Sequence, residues 1–511
     1  MAECYLDILT ETIRNNWDHP ALTDFYLTED GTAQDTSRGN HYTYGEMYAE
    51  IVRLADFLTH LGLRNGDHIA ICGANSAHWV IAYLAIAKIQ GVSVTIMHSL
   101  RTDEIARLID FSDAKALFVD RDLWNELKEQ SLSQVESVIS LDDWYVLSGK
   151  QIKLNYQLTI TNDQCQFVHG GPDELAMICF TSGSTGVSKG VMLPYRSISN
   201  NIGQTFTLYP VTQCKPFLSF LPYTHMAGLA GDALSQLVNG AHLHILRNYP
   251  TLMVINSSVL IISPYMFISV PEIFNTNGLN SKNDLLQSIQ HSCKLIFIGG
   301  AKVNNVIENK ITMSGIPLSI IYGQTETGAS ISISPYKKHR ARSSGKIVSG
   351  MSCCISPAGE ILVKGENVML GYYKDPEATA QKIDKDGWLH TGDKGYLDED
   401  GYLYVEGRLE HDIIVLPNGE NIRPDNIESL INALLEVKES LVLARNGKLV
   451  AIVVPSSLPF MEESEVGSLR RSILRAINPQ LPLFSQLYDV EITDQPLART
   501  EKQTIKRYLY K

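Results

Sequence analysis

Phe180-Thr181-Ser182-Gly183-Ser184-Thr185-Gly186-Val187-Ser188-Lys189-Gly190 crowds hydroxyls, glycines and a lysine into one turn, immediately after the apolar run Leu175–Cys179. A short apolar run bounded by turn residues reads as a buried strand. In the turn, glycines let backbone N–H groups approach an anion, hydroxyls add donors and Lys189 adds charge. Together they make a cradle for a polyphosphate. The P-loop pattern G-x-x-x-x-G-K-S/T fits no register of this stretch. A plain serine- and glycine-rich surface loop would share its composition.

Upstream, the first 125 residues alternate helix and strand. Met47, Ile51, Leu54, Leu58 and Leu61 recur at steps of four and three, one face of a helix. His68–Cys72 reads as a strand, and Asn75 and Ser76 cap a second helix that Gly91 ends. Residues 92–97 make another strand, Thr102 caps a third helix, and Lys115–Val119 return to strand. This order predicts a parallel sheet with right-handed crossovers, an α/β body. Downstream, Asp398–Gly401 is a hairpin turn within Tyr396–Val405, and Pro417-Asn418-Gly419 separates Ile413–Leu416 from Ile422. Between the two lies the short polar run Gly407–Asp412. The expected organisation is a large multi-sheet α/β body (residues 1–406), a hinge (407–412) and a small α+β lid (413–511).

Composition sets limits. A chain of 511 residues exceeds one compact core and suits two to four folding units of roughly 150 residues. With 43 basic and 56 acidic side chains the net charge is -13, which argues against nucleic acid or an anionic membrane as the main partner. The apolar stretch Trp79–Ala87 stops at Lys88, short of the roughly 18 residues of an integral membrane segment. Met1-Ala2-Glu3-Cys4 has no secretory pattern, and the eight cysteines form no C-x-x-C pair. A reducing cytoplasm, without a disulfide framework or zinc site, is the expectation.

The cradle resembles the phosphate-binding signature of the adenylate-forming superfamily: acyl- and aryl-CoA synthetases, peptide-synthetase adenylation domains and firefly-type luciferases. Further motifs follow in that family's order. They are Leu221-Pro222-Tyr223-Thr224-His225, Gly299-Gly300-Ala301, Tyr322-Gly323-Gln324-Thr325-Glu326, Gly359-Glu360-Ile361, Thr391-Gly392-Asp393, Gly407-Arg408 and the closing segment Arg499–Arg507. The resemblance spans nearly the whole chain and is closest to AMP-forming acyl-CoA synthetases.

That resemblance implies a carboxylic acid attacking the α-phosphorus of ATP to give an acyl-adenylate, from which the thiol of coenzyme A displaces AMP. It assigns Thr181, Ser182, Gly183, Ser184, Thr185, Gly186 and Lys189 to the β- and γ-phosphates, Thr325 to an α-phosphate oxygen and Glu326 to Mg2+. Tyr322 lies against the adenine, with Gly323 and Gln324 beside it and Gly299, Gly300 and Ala301 as the opposite wall. A packed core tyrosine is the competing reading of Tyr322. Asp393 and Arg408 take the ribose, and His225 walls the acyl site. Family members that activate α-amino acids carry an aspartate where this chain has Met226, and an ammonium buried there without a partner would be costly. Met226, Ala227, Gly228 and Leu229 therefore point to a fatty or aryl acid without an α-amine.

The tail departs from the family. Its pattern R-T-x-x-G-K-I-x-R holds a lysine that gives its charge to the adenylation transition state. Here Gln503 falls on the glycine and Thr504 on that lysine. Losing one fixed donor to a developing oxyanion costs on the order of 10²–10³ in rate. In an extended tail, residues 502, 504 and 506 point to one side. Lys502, displaced about 6.6 Å at ~3.3 Å per residue, is then the candidate replacement. Lys502 and Lys506 also read as solvated tail charges. Milder departures are Ser188 for a usual proline, Tyr195 for a usual histidine, Glu410 at the hinge and a longer loop before Gly419. The expected activity is an acyl-CoA synthetase. The alternatives are an acyl-AMP ligase loading an acyl carrier protein, and an ATP-binding pseudoenzyme.

Overall fold

The computed structural model describes residues 3–28, 34–35, 39–181, 188–208, 214–247, 250–274, 285–409, 414–415, 421–422, 424–445, 448–456, 463–481, 485–499 and 505–510. His68–Cys72 lies inside an eight-stranded sheet, parallel to Val92–Thr95 and Ala116–Val119; Val92–Thr95 pairs in parallel with Leu175–Thr181. Successive side chains of a strand face opposite sides, and both sides here are apolar. Ile69 and Ile71 pack into the core that holds the helix Ala77–Lys88, whereas Ala70 and Cys72 pack with Ile105 and Ile109 of the helix Thr102–Phe111. A parallel sheet covered on both faces follows.

The helix Tyr44–His60 opens on a capping box between Thr43 and Glu46, and Ser76 Oγ accepts from the Trp79 N–H at 2.9 Å. Two helix boundaries differ from expectation. Gln90, not Gly91, takes the left-handed conformation that ends the second helix, with φ 56°. The Gln90 N–H reaches Ala87 O and the Gly91 N–H reaches Ile86 O, a Schellman pair. A Cβ on Gly91 would stand 3.1 Å from Ile86 Cγ2, a tight contact. At the third helix Arg101 is the last extended residue, so Thr102 already lies in the first turn rather than capping it.

A second sheet pairs Pro20–Leu27 in parallel with His242–Leu246, which is parallel to Pro216–Ser219. A third sheet of nine strands begins with parallel Phe267–Ser269, Ile296–Ile298 and Leu318–Tyr322 and continues antiparallel. The Asp398–Gly401 turn joins two of its strands, Leu389–Leu397 and Tyr402–Arg408. Gly407 and Arg408 are therefore ladder residues, paired with Lys394 and Asp393.

Beyond residue 413, Ile414–Val415 pairs with Asn421–Ile422; Glu410 and Pro417–Gly419 lie outside the described residues. Val437–Arg445, Lys448–Pro455 and Asp489–Ile492 form a small sheet against the helices Pro424–Ile431 and Glu463–Ile477. They share a core of their own that includes Ile427, Ile431, Val453, Ile473 and Val490. All eight cysteines are free thiols, and no helix among the described residues is long and apolar enough to cross a membrane.

Candidate active site

Thr181 ends one strand and Lys189 begins the next, and the two residues face each other in an antiparallel ladder. The cradle is thus held at its base; Ser182, Gly183, Ser184, Thr185 and Gly186 themselves lie outside the described residues. Lys189 Nζ stands 4.8 Å from the Tyr372 ring centroid, a cation–π contact. The Tyr372 hydroxyl donates to Glu326 Oε1 at 2.8 Å. Burial and the neighbouring Glu326 charge push the Tyr372 pKa up, so it stays a donor. Tyr372 makes the cradle base and Glu326 neighbours. Sequence pattern does not select it.

Ile296–Ile298 and Leu318–Tyr322 run parallel and end together. Gly299-Gly300-Ala301 and Tyr322-Gly323-Gln324 therefore leave the sheet at one carboxyl edge, where open α/β sheets place ligands. Gly323 tolerates no side chain: a Cβ would lie 1.9 Å from Ala329 O. Thr325 is buried, and Glu326 is fixed by the Met369 N–H donating to its carbonyl at 2.9 Å. Gln324 Nε2 is buried and makes no hydrogen bond, an orphaned donor beside these residues.

Asp393 is the hub of the next cluster. The Tyr322 hydroxyl donates to its Oδ2 at 2.7 Å, and Arg408 Nε stands 3.3 Å from its Oδ1. Burial raises the Asp393 pKa, opposed by Arg408 and by the Tyr322 hydrogen bond. Gly392, with φ +76°, makes the turn, and its N–H donates to Glu360 Oε1 at 2.9 Å. The Thr391 carbonyl accepts from Arg408 Nη1 at 3.2 Å and from Lys382 Nζ at 3.1 Å. Lys382 is a second group that sequence pattern misses.

His225 is half-buried beside a cleft lined by Thr95, Met97, Phe180, Thr181 and Thr224. The hydroxyls of Thr95 and Thr224 are buried there without hydrogen bonds among the described residues. Met226 is 3% exposed and enters the eight-residue π-helical segment Ala227–Leu234. A Cβ on Gly228 would meet Pro222 O at 2.2 Å, so the segment folds tightly under His225. Asp232, fully buried, accepts from Ser219 Oγ and from the N–H groups of Phe220 and Leu221. Burial pushes its carboxyl up to about 7. Asp232 positions the backbone that leads to His225, and nothing in the motif pattern announces it. Lys502 and Thr504 lie outside the described residues; Lys506 is described, next to the bridge between Arg499 and Ile505.

The base of the cradle, the carboxyl-edge glycines and the Tyr322–Asp393–Arg408 cluster around a buried aspartate are the parts of one site, and family models agree. Residues 9–373 match the AMP-binding enzyme family and residues 411–510 the AMP-binding enzyme C-terminal domain. The chain belongs to the AMP-binding enzyme family. It is 27% identical to 4-coumarate–CoA ligase 3 of Arabidopsis thaliana, covering 84% of this chain and 80% of that one. It is 25% identical to 2-succinylbenzoate–CoA ligase of Bacillus cereus, covering 94% and 97%. In fold it is similar to the anthranilate CoA ligase AuaEII in complex with anthranoyl-AMP, with TM-score 0.80, 19% identity and coverage of 100% and 96%.

Proposed function

We propose that the acid activated by this AMP-forming acid–CoA ligase is aryl or fatty and carries no α-amine. The enzyme uses ATP, Mg2+ and CoA. The single supporting observation is the surroundings of His225: its neighbour at position 226 is a buried methionine, and the described residues lining the cleft at His225 include no carboxylate. A substrate ammonium would find no counter-charge there.

In this reading the cradle and Lys189 grip the β- and γ-phosphates, and Tyr322 with Gly299–Ala301 holds the base. Asp393 and Arg408 take the sugar. An oxygen of the acid attacks the α-phosphorus in line, and pyrophosphate leaves with the bonding pair. The CoA thiol then attacks the acyl carbon, and AMP leaves. Positioning and charge stabilisation supply most of such a rate. Glu326 suits Mg2+: it offers one hard carboxylate, and this ion keeps waters and substrate phosphates as its other ligands. Held by Glu326, the metal would supply positive charge to offset that on the leaving pyrophosphate. The lid would turn about residues 410–412 between the two half-reactions. The free thiols support a reducing, cytoplasmic setting.

A panel of aryl, fatty and α-amino acids, assayed for AMP release with and without CoA, tests the reading. AMP release should require an aryl or fatty acid and rise with CoA. A carrier protein bearing the pantetheine thiol, added in place of CoA, tests that acceptor. Preference for an α-amino acid would overturn the substrate class. ATP binding without acid-dependent ATP–pyrophosphate exchange across the panel would make the chain a pseudoenzyme.

A further inference from the structure

We propose that Lys382, on the large domain, supplies the positive charge on the α-phosphate that Thr504 cannot supply from the tail. The inference deepens the ligase reading above and rests on it.

Lys382 closes the helix Pro376–Lys382, yet it does not extend into solvent as a lysine at a helix end would. It is partly buried, and its Nζ shares the Thr391 carbonyl with Arg408, two residues before Asp393. The charges around it are the carboxylates of Glu326, Asp393 and Glu360 and the Arg408 guanidinium. In a nucleotide held by Asp393 at the sugar and by Glu326 through its metal, the α-phosphate is the link between those two points. Lys382, held on the Thr391 carbonyl two residues before Asp393, is the cation placed to reach that link.

The neighbouring cations are committed elsewhere. Arg408 is on Asp393, and Lys189 lies over Tyr372. Lys382 Nζ rests on a neutral carbonyl, a weaker acceptor than a phosphate oxygen, so a bound nucleotide can draw it across. As the acid oxygen–phosphorus bond forms and the bond to pyrophosphate breaks, charge shifts among the phosphate oxygens. An ammonium donating to a non-bridging oxygen stabilises it, and no proton is transferred. Burial lowers the Lys382 pKa, which the adjacent carboxylates oppose.

The test measures AMP and adenosine binding by calorimetry for the wild type, Lys382→Met and Lys382→Arg. Exchange and thioester formation from supplied acyl-adenylate are followed in parallel. Lys382→Met should bind adenosine within about twofold of wild type but lose the preference for AMP. Its ATP–pyrophosphate exchange should fall about 10²-fold, while the thioester step from supplied adenylate changes by less than about threefold. Lys382→Arg, which keeps the charge, should restore the AMP preference. Equal losses for adenosine and AMP, or both half-reactions falling together, would mean a structural lysine and overturn the proposal. So would exchange that collapses in Lys502→Ala and survives in Lys382→Met. A wild type that binds AMP but exchanges with no acid removes the ligase reading and leaves the adenosine–AMP comparison to decide for or against Lys382.

Discussion

Replacing Tyr322 with phenylalanine deletes one oxygen and leaves a buried carboxylate short of a donor. The hydroxyl stands 2.7 Å from Asp393 Oδ2, and Asp393 is 8% exposed. Hydrogen bonds to charged groups contribute about 1.5–3 kcal/mol. Arg408 remains 3.3 Å from the other oxygen, so the lower end applies: about 1.5 kcal/mol, or about tenfold in kcat/KM for ATP. The ring is kept, so any stacking on the base survives and the loss falls on the sugar. The pH profile discriminates further. Burial raises the Asp393 pKa and the Tyr322 donor lowers it; without the donor it rises further. Only ionised Asp393 accepts from both ribose hydroxyls, so activity is lost as pH falls through that pKa. The acid limb of kcat/KM for ATP should move to higher pH in the variant, with the basic limb unmoved. ATP–pyrophosphate exchange across pH is the assay. An unmoved acid limb, or an equal rise in KM for ATP and for the acid, refutes the sugar-facing role.

Gly323→Ala forces a Cβ to 1.9 Å from Ala329 O. Relief takes a backbone shift of about 1 Å and should cost about 10² in exchange rate, and unchanged exchange and melting would contradict the packing. Asp232→Asn should flatten the pH dependence of stability. The raised pKa means that stability is fully present below about 3.8 and is lost as pH rises through about 7. Melting temperatures of wild type minus variant should therefore fall across that window, and parallel curves would exclude a titrating Asp232. Glu326→Gln should raise the Mg2+ concentration for half-maximal turnover by at least about tenfold; an unshifted Mg2+ titration removes Glu326 from the metal.

The parallel sheet was legible because short, mostly apolar strands alternate with helical stretches, and Ser76 capped the helix it was expected to cap. Helix ends were less so: Gln90 adopts a conformation expected of glycine, one residue before the glycine that was expected to take it. Tyr322, Asp393 and Arg408 were legible as separate motifs. The resemblance also set Asp393 and Arg408 at one sugar, and they pair across a hairpin; the direct bond from Tyr322 to Asp393 was not legible, because it joins residues 71 positions apart. Asp232, Tyr372 and Lys382 escape pattern reading for a common reason. Each acts through a contact distant in sequence, and a lone acid, tyrosine or lysine carries no local signal of burial.

Among the described residues, the side chains gathered around Thr391 and Glu326 in these contacts are all encoded before residue 409. On the proposed reading, affinity for the nucleoside should therefore be set mainly by the large body. Chimeras that swap this portion between homologues should inherit affinity for adenosine from the parent of the body, and turnover from how well the two halves match.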